Sequence, residues 1–148
     1  MIPNAAHFKK EINNSFPRSK NFVDVIFQPY DDDEVDFEKY LKKQDWTHVE
    51  CDFWRRHAEN VTLLLPEAFV YFLPSLLCCA IDEIEHFPLS YTINEILFRS
   101  LVESSCSSSI SNFVNDYKSL LNESNICIII KYINLVRQNK FLQKWLDS

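Results

Sequence analysis

Three short stretches hold the residue types from which a reactive site could be built. "HVECDFWRRH" offers His48, Cys51, Asp52 and His57, where a thiol beside imidazoles could act as a nucleophile with its base, or mixed sulfur, nitrogen and oxygen donors could hold zinc. "EIEH", Glu83 to His86, has the Glu-x-x-His spacing of carboxylate-bridged di-iron helices, but that site needs two such pairs and no second one exists. "CC", Cys78 and Cys79, could be a redox pair, although adjacent cysteines bridge only with distortion. Each has a plainer reading. Cys51 and Phe53 would be partly buried beside a wet charged face, His86 would sit near a helix C-terminus where the dipole favours it, and Cys78 would pack beside Leu77 in a core. The plainer readings weigh more, so no catalytic residue, metal or cofactor is expected. A small enzyme built around His48, Cys51 and His57 remains the alternative.

The elements that would position such residues read as helices. Ala5, Phe8, Ile12 and Phe16 share one face of a first helix over Asn4 to Ser15, which stops at Pro17. "FVDVIF" alternates enough to be a short extended piece, and "PYDDDEVDFEKYLKK" starts a second helix. Its first acidic residues, Asp31 to Glu34, can cap N–H groups and meet the dipole, while Phe37, Tyr40 and Leu41 face inward. After Trp46, Val49 and Phe53 mark a short helix. "LLLPEAFVYFLPSLLCCA", Leu63 to Ala80, opens a core helix reaching about residue 86, in which Phe69, Phe72, Leu73, Leu76, Leu77, Ala80, Ile81 and Ile84 form one stripe. Pro66 suits its first turn; Pro74 predicts a kink costing up to ~3 kcal/mol unless the fold needs the bend. The uncharged run is too short to cross a bilayer, which takes about 20 apolar residues.

Further on, Thr92 and Glu95 make a capping-box pattern ahead of Ile93, Ile96, Leu97 and Leu101. "SSCSSS" is a polar linker, and Ile110, Phe113, Val114, Tyr117 and Leu121 repeat the helical spacing. Asn122 can cap a helix carrying Ile126, Ile129, Ile130, Ile133 and Val136, although "CIIIKYI" is β-branched enough to suit a strand. Phe141, Leu142, Trp145 and Leu146 end the chain as a short docking helix. The expectation is an all-α single domain over residues 1–148, a bundle of about six helices around a central Pro-kinked helix near 66–86.

Composition bounds the rest. The chain of 148 residues is 47% hydrophobic and 24% charged, which is globular and large enough for one core. Glycine is absent, and with it the dinucleotide-binding turn, the phosphate-cradling loop and the nucleophile elbow, all of which bring bare backbone close to a ligand or use positive φ. The first twenty residues lack the apolar block of a secretory signal. Cys51, Cys78, Cys79, Cys106 and Cys127 are odd in number without a C-x-x-C, which suggests reduced thiols and a cytoplasmic location. Trp46, Trp54 and Trp145 could stack on bases, but a net charge of −6 repels phosphate, so neither nucleic acid nor membrane is an expected partner.

The middle of the chain also carries a resemblance. "LLLPEAFVYFLPSLL", with "LLNESNICIIIKYI" later, resembles an uncharacterised family of small bacterial proteins. The family's signature reads Leu-Thr-Pro-Glu-Ala-Phe-x-x-Tyr-Leu-Pro, with a Leu-Thr-x-x-Gln helix near the C-terminus. Pro66, Glu67, Ala68, Phe69, Leu73 and Pro74 match; Leu65 stands where the family has threonine and Phe72 where it has tyrosine. Leu121 and Asn122 stand for the Leu-Thr pair and Asn125 for the glutamine. Some similar proteins are immunity partners of bacterial toxins, so the resemblance implies a helical fold and an immunity role.

Charge placement suggests where such a partner would dock. Residues 24–103 hold 17 Asp and Glu against 6 Lys and Arg. Part of this is a solubilising surface. As a docking face it would steer a basic partner, with Asp31, Asp32, Asp33, Glu34, Asp36 and Glu38 as the cluster and Tyr30 and Trp46 as aromatic anchors. The expected function is therefore a non-enzymatic antitoxin: a monomer that binds a cognate protein toxin with a basic surface one to one and occludes it.

Overall fold

A computed structural model of the chain describes residues 5–20, 22–82, 93 and 116–137. The fold is all-α. Helix α1 (Ala5–Ser15) is followed by an irregular connection, α2 (Asp32–Lys42), a 3₁₀ turn (Trp46–His48), α3 (Cys51–Arg56), a second 3₁₀ stretch (Ala58–Leu63), α4 (Pro66–Asp82) and, after the undescribed residues, α5 (Glu123–Arg137). The helix expected after Thr92, the serine linker, the Ile110–Val114 stretch and the helix at Phe141–Leu146 lie outside the described residues. Ile93 is helical and buried, and residues 116–118 are helical. The expected strand alternative for "CIIIKYI" gives way to helix. The expected extended piece at "FVDVIF" is reduced to one isolated antiparallel bridge, Ile26 with Leu64, with bends on either side.

Local chemistry explains the boundaries. Asp31 has extended backbone and its carboxylate accepts from the Glu34 amide at 2.8 Å, starting α2. The α2 C-terminus is closed by Lys20, whose ammonium donates to the Leu41 and Lys42 carbonyls at 3.0 and 2.8 Å. Asn122 and Asn125 cap α5 reciprocally, each side-chain oxygen accepting from the other's amide.

Helix α4 is the axis of the molecule, with α1 and α3 packed on it and α5 on α1. The sequence predicted one buried stripe on α4. Ala68, Tyr71, Pro74, Ser75 and Cys79 are buried as well, so the helix is enclosed nearly all round. Only the strip through Glu67, Val70 and Cys78 is less covered. Pro74 lies on that same side of the helix, which keeps the carbonyl it cannot pair, that of Val70, away from the densest packing.

Trp54, Ser75 and Tyr71 bury polar atoms that are hydrogen-bonded, which offsets the cost of taking them out of water. The Trp54 indole N–H donates to Ser75 Oγ at 2.8 Å. The Tyr71 hydroxyl donates to the Arg18 carbonyl at 2.8 Å and accepts from the Trp46 amide at 3.3 Å. On α5 the buried face is Asn125, Ile128, Ile129, Tyr132 and Ile133. It is rotated from the predicted stripe, with Ile126 half-buried and Ile130 exposed.

Candidate functional site

The three reactive stretches resolve differently from one another. Cys51 is bonded to Cys79, with Cα atoms 5.3 Å apart, which overturns the expectation that both thiols are reduced. It also removes the nucleophile of the alternative enzyme reading, because a disulfide sulfur has no thiolate to offer. The vicinal Cys78 is not the partner. Burial pushes its thiol up to about 11, with Lys9 pulling the other way, so it stays protonated at neutral pH.

The two histidines of the same stretch are engaged separately. His48 Nδ1 lies 2.9 Å from the Asp45 carboxylate on the exposed 3₁₀ turn. His57 packs against Phe53 and Phe37, with ring centroids 4.7 and 5.5 Å away, and its Nδ1 lies 3.6 Å from Asp33. Among the described residues no group of three His, Cys, Asp or Glu is placed to hold a metal ion. Glu83 to His86 lie outside them. Nor is there among them a helix long and apolar enough to cross a membrane.

A small groove between α1 and α5, about 220 Å³, is lined by His7, Phe8, Glu11, Lys131, Asn134 and Leu135. It is smaller than the ~300 Å³ at which ligand pockets begin. Its opposite charges satisfy each other: Lys131 donates to Glu11, and that hydrogen bond holds the Glu11 carboxyl below its usual range.

The acidic α2 terminus is the remaining candidate. Asp31, Asp32, Asp33 and Asp36 are exposed. They differ in what else they do. Asp31 caps α2, and Asp33 accepts from the Asn60 side-chain amide at 2.9 Å. Glu34 and Glu38 are half-buried and committed to local structure. Glu34 accepts from the Tyr30 amide at 3.2 Å, and Glu38 accepts from the Ile26 amide at 3.0 Å while pairing with Lys42 at 3.5 Å. Tyr30 is 90% exposed, as an anchor must be.

Trp46 is not an anchor. It is only 3% exposed, and its indole N–H donates to the Pro17 carbonyl at 2.9 Å, fastening the turn after α1. The Asp45 cap puts Trp46 at the head of a 3₁₀ turn that points it inward. Sequence reasoning missed the residues that take its place: Val23 is 84% and Phe27 77% exposed. Alternation along "FVDVIF" does not mark them, because Val25, two residues from each, is buried beside Ile26.

The segment that carries them is well held. Besides the Ile26 and Tyr30 contacts to α2, the Leu65 amide donates to the Val25 carbonyl at 2.8 Å. Val23 and Phe27 are thus presented from a fixed backbone. No protein-family model, no curated protein and no solved structure matches the chain, so the functional reading rests on its own residues.

Proposed function

We propose that the protein is a non-enzymatic binding module, an immunity protein that neutralises a cognate toxin by docking on it and occluding it. The observation that carries this reading is the edge at Tyr30 to Asp36, where an aromatic side chain 90% exposed stands beside four exposed aspartates. Such an edge suits a basic protein surface. Its charges raise the encounter rate and reject acidic partners, and its aromatic ring supplies desolvated contact. The toxin's basic surface and the one-to-one stoichiometry belong to the same proposal, as does the functional side of the sequence resemblance.

The test is binding to the protein encoded by the neighbouring gene, which the proposal expects to be the toxin. Asp32→Lys with Asp36→Lys reverses two charges while leaving the Asp31 cap and the Asp33 bond to Asn60 intact. The association rate should fall about tenfold or more at low salt, and the gap from wild type should close as salt screens it. Equal rates at low salt, or no binding of the wild-type chain, would overturn the reading.

A further inference from the structure

The bridge between Ile26 and Leu64 brings a second exposed segment to the docking edge beyond α2. Both bridge residues point inward, at 3% and 2% exposure. Their chain neighbours Phe27 and Leu63 leave the bridge together, and both are exposed, at 77% and 41%. With Val23 and Tyr30, exposed on the same segment as Phe27, they form a strip of large apolar side chains on a backbone fixed by Glu38, Glu34 and Leu65.

Folding gains nothing from large apolar side chains left in water, and contiguous patches of this kind mark interaction sites. What covers the strip follows from its rim. Asp24, which lies 4.0 Å from Lys42, and Asp31, Asp32, Asp33 and Asp36 are exposed on the same segment and the first turns of α2, leaving carboxylates in excess. A rim of this sign repels anionic lipid headgroups and acidic proteins. It attracts a segment that alternates apolar and cationic side chains.

We infer that the strip of Val23, Phe27, Tyr30 and Leu63 is the apolar half of the docking face, and that its occupant is a basic protein segment with apolar residues set between lysines or arginines. The inference rests on the proposed binding role and divides its labour: the aspartates govern association, and the strip governs how long the complex lasts. Removing Phe27 and Leu63 deletes contact without touching charge, so dissociation quickens while the salt dependence of association is kept.

The experiment uses the full chain, isotope-labelled, and three short peptides: alternating leucine and lysine, alternating serine and lysine, and alternating leucine and glutamate. The leucine-lysine peptide should shift the amide signals of Val23, Phe27, Tyr30 and Leu63. It should bind about tenfold or more weakly to Phe27→Ser with Leu63→Ser, a loss of about 1.4 kcal/mol. Tyr30→Ser alone should weaken it as well, which guards against a misfolded double variant. Equal affinity for the serine-lysine peptide, seated at Asp31–Asp36, would overturn the apolar half and leave the acidic steering intact. Failure of both lysine peptides to bind would overturn the two together. Equal binding of the leucine-glutamate peptide would overturn the charge argument. Phe27-dependent sedimentation with phosphatidylcholine vesicles would make a bilayer the occupant and overturn the inference.

Discussion

Helix α4 and the edge from Val23 to Asp36 solve opposite problems with the same kinds of residue. Phe69 and Phe72 in α4 are fully buried, and its polar Tyr71 and Ser75 are bonded to Arg18, Trp46 and Trp54. On the edge Phe27 and Tyr30 stand in water, and the Glu34 and Glu38 carboxylates accept from the backbone beneath them. One region spends its aromatic rings on the fold. The other holds them away from it on a braced backbone, an arrangement that folding alone does not explain and that the proposed docking would use.

Four measurements distinguish the two regions. Phe72→Ala should cost ~3–5 kcal/mol in chemical unfolding, because it empties a close-packed site, whereas Phe27→Ala should stay within ~0.5 kcal/mol. Similar losses for the two would mean that the edge is part of the core. Next in size is the Cys51–Cys79 bond. Its separation of 28 residues predicts that Cys51→Ser with Cys79→Ser lowers stability by about 3–4 kcal/mol through the freed unfolded chain. Alkylation followed by mass measurement checks the bond itself: reduction beforehand should add two adducts.

Smaller effects test the edge. Asp31→Ala removes the α2 cap and should cost ~1 kcal/mol, read as a lower midpoint in urea with unchanged slope. The smallest expected effect concerns pH. The Thr47 hydroxyl, ahead of the Thr47 amide and His48, holds the Asp45 carboxyl below its usual range. A carboxyl depressed in the folded state contributes stability that is present above its unfolded value, about pH 4, and is lost as pH falls through the folded one. Thr47→Val should therefore raise the Asp45 titration midpoint seen by NMR and flatten the acid limb of stability. An unchanged midpoint would remove the hydroxyl from that account.

Much of the helical order was legible because its signals are local. Pro17 ends α1 and Asp31 starts α2 through chemistry within one turn of chain. The all-round burial of α4 was not legible, since Tyr71 and Ser75 read as polar until Trp54, Trp46 and Arg18 are brought to them from distant positions. The buried face of α5 was misplaced because consecutive isoleucines at 128, 129 and 130 satisfy neighbouring helical phases equally well. At the candidate site, the carboxylates and Tyr30 could be named from composition. Whether Trp46 faces in or Phe27 faces out depends on a turn and a bridge partner, Leu64, that spacing does not reveal.

The Cys51–Cys79 bond also decides what a protease can release. Everything between Cys51 and Cys79, including the exposed Thr62 and Leu63, lies inside a covalent ring. A single cut there leaves no loose fragment: the two pieces stay joined through sulfur and through the packing of α3 on α4. A chain nicked at Leu63 would run as one species without reductant and as two with it. Its contact surface would stay assembled after the backbone beside it had been severed.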